Sequence, residues 1–188
     1  MPELMRKAAA FGASAWLTGR LLLRGQLSLP ATYLGWWLEF HDGSRLRVYR
    51  ETVRTGAPTD RPALLVVRFR LRLLGRGRLW HALFRAESLL NTPLFAGFPG
   101  FRSKLWATNP DTGAYRGVYQ WDGADRAEAY ATTLLALLRP LCRLGSLTFH
   151  VEPGVWLGDL LRAPAMAAGD EDRWWRLRLT TRAPEAAR

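Results

Sequence analysis

The sequence predicts an α+β fold centred on one βαββαβ unit over residues 59–153. Three observations carry that prediction. Two runs, 63–73 and 146–152, alternate apolar and polar residues with the period of two that a sheet strand requires, and two more, 102–108 and 115–121, flank an Asn-Pro-Asp-Thr-Gly turn. Two longer runs, one between the first and second strands and one between the third and fourth, repeat apolar residues at helical spacing. Gly and Pro fall at the joints between these runs, where the chain must turn. Strand, helix, hairpin, helix, strand is the split βαβ or ferredoxin-like arrangement.

The first strand spans residues 63–73, with Leu65, Val67, Phe69 and Leu71 on one face and Arg68, Arg70 and Arg72 on the other. Gly75 and Gly77 end it. A helix over 78–90 carries Leu79, Trp80, Leu83, Phe84 and Leu90 on one stripe, and Pro93 stops it. Residues 95–101 are too rich in Gly and Pro for a helix and too aromatic for a solvated loop. They predict a gate over an apolar pocket. The second strand covers 102–108, and Asn109-Pro110-Asp111-Thr112-Gly113 turns the chain. The third strand covers 115–121. Asp122 is the expected cap of a second helix reaching Leu138, with Asp125 in its first turn. Pro140 and Gly145 close that helix off, and residues 146–152 form the fourth strand, alternating Leu147, Phe149 and Val151. Two helices cover only one face of such a sheet. The bare face predicts a homodimer, in which a second copy supplies the cover.

The flanks are distinct in pattern. Residues 1–58 read as an amphipathic helix over 3–23 and a hairpin of runs 34–40 and 46–53, joined by His41-Asp42-Gly43-Ser44. Asp-Gly between strand-like runs is a strong hairpin signal, because both residues tolerate positive φ. Residues 154–188 carry a short helix near 156–161, a loop over 164–172 and a further strand within 173–181.

Composition narrows the function classes. The net charge is +11 and only Lys7 and Lys104 are lysines, so the positive charge is almost all arginine. Arg stacks on aromatic faces, and nine Trp offer those faces. The arginines are interleaved with acids and the rings sit in core-like registers, so no nucleic-acid partner is expected. The first helix, with its Arg and Trp, permits contact with a membrane surface. No apolar run reaches a membrane span's length, and the expected location is cytoplasmic. The single cysteine, Cys142, lies in an apolar run and reads as a small buried hydrophobe.

The segment 97–130 carries a resemblance. It contains Gly97-Phe98-Pro99-Gly100-Phe101-Arg102-Ser103-Lys104-Leu105-Trp106, then the Asn109 to Gly113 turn, then Gly117-Val118-Tyr119-Gln120-Trp121, and Ala127 to Tyr130. This resembles the YdhR-type mono-oxygenases, among the dimeric α+β barrels that include the antibiotic-biosynthesis monooxygenases. There a Lys-x-Trp-like strand leads through Asn-Pro-x-Thr-Gly to Gly-Gly-hydrophobic-Tyr and a helix bearing a Tyr. Tyr115-Arg116-Gly117 keeps one of the two paired glycines. The resemblance covers about a third of the chain and implies a dimeric barrel with a ligand cavity between sheet and helices.

The sequence shows no metal set, no phosphate loop and no nucleophile elbow. His41, His81 and His150 stand apart from one another. The expected cofactor is therefore none, and the expected ligand a hydrophobic small molecule. From the 78–90 helix Trp80 and Phe84 are candidate lining, with Phe95, Phe98 and Phe101 from the segment after it. Trp106, Tyr115, Tyr119 and Trp121 of the hairpin complete that set; each ring is equally readable as core. Lys104 shares a strand face with Trp106. It either reaches solvent or a carboxylate, or holds a carbonyl or enolate oxygen. His81 either bonds to backbone or acts as general base. A cofactor-independent oxygenase acting on an aromatic or polyketide-like molecule is the first functional expectation. A non-catalytic ligand-binding or structural module is the alternative.

Overall fold

The computed structural model describes residues 2–56, 59–72, 92, 95–163 and 173–182. In chain order the elements are α1 (Pro2–Leu23), β1 (Leu27–Ser28), β2 (Trp37–Phe40), β3 (Arg45–Arg54), β4 (Pro62–Arg70), β5 (Phe101–Asn109) and β6 (Ala114–Asp122). α2 (Ala124–Leu138), β7 (Thr148–Pro153), α3 (Leu157–Arg162) and β8 (Leu177–Thr181) follow. The expected helix over 78–90 lies outside the described residues.

Among the described residues all strands join one antiparallel, curled sheet in the order β7-β4-β6-β5-β3-β2-β8, with β1 paired to the end of β3. The quartet β7-β4-β6-β5 has the spatial order of a ferredoxin-like unit. The sheet then continues through the N-terminal hairpin to the C-terminal strand.

Both faces are covered. On the first face Ala63, Leu65 and Val67 of β4, Trp106 of β5 and Tyr119 and Trp121 of β6 pack under α2. Ala127, Tyr130, Ala131 and Leu134 form the buried stripe of α2, at the spacing of one helical face. On the second face Leu64, Val66, Leu105 and Val118 meet Leu38 and Phe40 of β2, Leu161 of α3, Trp175 and Leu177. The expectation of a homodimer rested on this face being bare. The chain's own hairpin and C-terminal elements cover it instead.

Local chemistry explains the joints. Asn109 Oδ1 accepts from the backbone N–H of Asp111 (2.9 Å) and Thr112 (3.1 Å), and Gly113 closes the reversal at φ 65°. Asn109 Nδ2 also donates to Arg45 O at 2.8 Å, tying this turn to β3. The expected cap of α2 is corrected. Gly123 is the N-cap, at φ 97° with no side-chain cap bond. The Asp122 carboxylate is drawn elsewhere, to the Thr59 hydroxyl (2.5 Å) and to Arg126 (2.7 Å). Charge packs on rings as the composition implies: Arg45 lies 4.7 Å from the Trp37 centroid and Arg68 4.5 Å from that of Trp174. Among the described residues no helix is long and apolar enough to cross a membrane.

Candidate functional site

The first sheet face gathers one contiguous cluster of rings around one amine. A β-bulge between Phe101 and Ser103 brings Phe101, Lys104 and Trp106 of β5 onto the same face, although their spacing is irregular. Lys104 lies opposite Tyr119 of β6 on one side and Thr52 of β3 on the other. It is 4% exposed. Its Nζ stands 2.9 Å from the Trp106 ring centroid, 4.4 Å from Phe95 and 4.5 Å from Tyr119.

No acid pairs with Lys104 among the described residues. Glu51, next to Thr52 in the ladder, belongs to the other face, where it accepts from Tyr33 N at 3.2 Å. The neighbouring cation is Arg50, which lies 5.5 Å from the Trp106 centroid and donates to the Thr92 hydroxyl. Burial first, and the Arg50 charge second, hold the Lys104 amine well below its ordinary value of 10.5. The rings offset part of the cost of a charge there by cation–π attraction. The site therefore sets burial, which disfavours the ammonium, against three ring faces that attract it.

Around this centre Phe95 sits edge-on to Phe101 (5.0 Å) and Trp106 (5.5 Å). Phe101 meets Trp121 at 5.8 Å. Tyr130 of α2 ties Tyr119, Trp121 and Phe98 together at 5.7, 4.9 and 5.2 Å. A hydrogen bond joins the Tyr119 and Tyr130 hydroxyls, and burial raises both phenols, Tyr119 well above 10.0. The indole Nε1 atoms of Trp106 and Trp121 are buried with no hydrogen-bond partner among the described residues.

The structure thus brings together Lys104, Phe95, Phe101, Trp106, Tyr119 and Trp121. Phe98 joins through Tyr130. Tyr115 stands apart, stacked on Phe69 at 5.5 Å, across a cavity of about 10 Å³ that Lys104, Trp106 and Tyr119 also line. Trp80, Phe84 and His81 lie outside the described residues. Tyr130 and Arg50 were not singled out for this site. The helical stripe containing Tyr130 is readable in the sequence, but Arg50 reaches the site only through a bulge in β3 between Val48 and Arg50.

The segment expected to be a gate is wedged. Phe95, Ala96 and Phe101 are buried and Phe98 is half-buried. A side chain at Gly97 would begin 2.1 Å from Ser14 O of α1.

No family model matches the chain, and no curated protein is similar to it. Solved structures are. A ferredoxin-fold protein related to antibiotic biosynthesis monooxygenases, from Listeria monocytogenes 4b F2365, is 13% identical. The alignment covers 61% of this chain and 67% of that one, with a TM-score of 0.41. A heme-degrading enzyme from Listeria monocytogenes is 14% identical, over 58% of this chain and 70% of its own, with a TM-score of 0.42. An anthrone oxidase-like protein is 15% identical, over 60% and 57%, with a TM-score of 0.35.

Proposed function

We propose that this chain is an oxygenase-like enzyme acting on a hydrophobic, aromatic or polyketide-like molecule, without a cofactor, and that Lys104 is its working group. The observation that carries the reading is an amine enclosed by three rings with no acid beside it. A neutral amine there accepts the proton of an acidic C–H or phenol. The ammonium so formed holds the enolate or phenolate oxygen. The activated CH₂ then reacts with dioxygen. One oxygen atom becomes the new carbonyl, and the other leaves as water with the two hydrogens lost from carbon. Water must be kept out for such a charge pair to form, and the ring cluster does that.

The test is oxygen uptake with anthrone-type and naphthol substrates, for the unmodified chain and Lys104→Met. The expected result is substrate-dependent uptake that falls by about 10²–10⁴-fold in the variant. Uptake equal in both proteins refutes the role of Lys104. The small size of the cavity beside Lys104, about 10 Å³, favours a second reading. The cluster is then core and the protein a non-catalytic module. Failure of every such substrate to consume oxygen, with the melting temperature of the protein unmoved by any of them, selects that reading.

A further inference from the structure

A basic cleft of about 370 Å³ lies at one end of the sheet, sharing Phe69, Tyr115 and Arg116 with the small cavity beside Lys104. It forms where the end of β4 meets the start of β6, beside the β2–β3 turn and the connection from α2 to β7. Arg68, Arg70, Arg116 and Arg143 line it, and Asp42 is the one acid among its described lining residues. Four guanidiniums against one carboxylate leave a surplus of three positive charges.

That carboxylate is already committed. Asp42 pairs with Arg116 and, at 3.2 Å, with Arg68, and its other oxygen accepts from Ser44 N at 3.0 Å. Arg116 is held from every side: it is 4% exposed, its Nη1 donates to Trp174 O at 3.0 Å, and its guanidinium lies 3.8 Å from the Phe40 centroid. The Arg68 charge opposes that of Arg116. Arg70 and Arg143 are exposed and have no acid partner among the described residues. Their backbones are fixed, by Arg143 N donating to Arg70 O (2.8 Å) and by the Ser146 hydroxyl donating to Arg143 O (2.7 Å). One wall is apolar, the stacked pair Phe69 and Tyr115.

We infer that this cleft is a binding site for a small organic oxyanion, a phosphate or carboxylate head carried on an aryl body. The guanidinium forks of Arg143 and Arg70 take the head, with Arg68 completing the charge, and the aryl body turns round the end of the sheet against the half-buried Phe69. Planar forks suit the oxygens of a carboxylate or phosphate. The volume falls in the range of about 300–1,000 Å³ typical of small-molecule sites. The anion relieves repulsion among cations that the fold places together without matching acids. This inference does not depend on Lys104.

The experiment is calorimetric titration of the full chain with phenyl phosphate, benzoate and inorganic phosphate. Expected is 1:1 binding of phenyl phosphate or benzoate with a Kd below about 1 mM, tighter than inorganic phosphate and weakened by salt. The better of the two aryl probes identifies the head. Arg143→Gln and Arg68→Gln each weaken binding by about tenfold or more. Arg178→Gln, an exposed arginine of β8 paired with Glu39, leaves it within about twofold. Circular dichroism confirms that each variant is folded. Two results with these probes overturn the inference: no saturation by any of the three, or an equal loss in Arg178→Gln. Duplex DNA that binds as tightly to Arg143→Gln as to the unmodified chain, with no aryl anion binding, also overturns it.

Discussion

Replacing Lys104 by methionine should stabilise the protein near neutral pH, and by an amount that depends on pH. Met is unbranched and close in length to the Lys stem, so the ring cluster keeps its filling. What disappears is an amine whose burial holds it well below 10.5 in the folded chain. Between that lowered value and 10.5 the unfolded chain carries a proton at this position and the folded chain does not. Stability therefore rises with pH across the window. The contribution is complete above 10.5 and is lost as pH falls toward the folded value. The slope is at most one proton, about 1.4 kcal/mol per pH unit. For a chain of this size that is at most roughly 3–6 °C in Tm per pH unit. The methionine variant lacks the slope. Its advantage over the unmodified protein should be greatest at the low end of the window and shrink as pH approaches 10.5. Thermal melts of both proteins from pH 6 to pH 10 at constant ionic strength measure it. Arg116, which burial pushes down to about 10, titrates in both proteins and cancels in the difference. Parallel pH profiles would refute the reasoning, as would a variant less stable at pH 6. Either would mean that Lys104 remains charged with a compensating partner.

Gly97→Ala should destabilise by about 1–3 kcal/mol in urea denaturation, because its Cβ would meet the backbone of Ser14, which cannot rotate away. A loss under about 0.5 kcal/mol would show that α1 does not pin this segment. Asp42→Asn should cost about 3 kcal/mol by the same measurement, since it leaves the enclosed Arg116 without its counter-charge. Arg116 and the Ser44 hydrogen bonds together outweigh the upward push of burial and hold the Asp42 carboxyl below 3.8. That contribution is complete above pH 3.8 and is lost as pH falls through the lowered value, so the two proteins should converge in acid.

The local rules carried most of the fold. Period-two alternation and turn chemistry place β4, β5, β6 and β7 within a few residues, and the Asp42-Gly43 signal places the β2–β3 hairpin. Pairings between distant segments have no local signal. Nothing in Leu177–Thr181 announces that it joins β2, through an irregular register at Glu39 and Phe40. The alternation of Lys104 with Trp106 was readable. Their convergence with Phe101 needed the bulge, and their convergence with Arg50 needed a second bulge in a strand outside the βαββαβ unit. Asp122 shows the limit of motif reading: its type suits a helix cap, but Thr59 and Arg126 compete for its oxygens.

Asp42 marks how the N-terminal hairpin changes the unit it is joined to. A strand face bearing Arg68 and, on its neighbour, Arg116 is costly to bury without acids. The hairpin turn that covers this face delivers the acid for both. The cover is also apolar. Leu38, Phe40 and Leu46 of the hairpin and Leu177 of β8 are each 0% exposed. Burying four such side chains is worth roughly 6–12 kcal/mol. Pairing two copies through this face would first require peeling the cover away, at a cost comparable with the whole stability of an ordinary domain, about 5–15 kcal/mol. A homodimer of this chain must then be built on other surfaces, the outer edges of β7 and β8 among them, which end the sheet among the described residues.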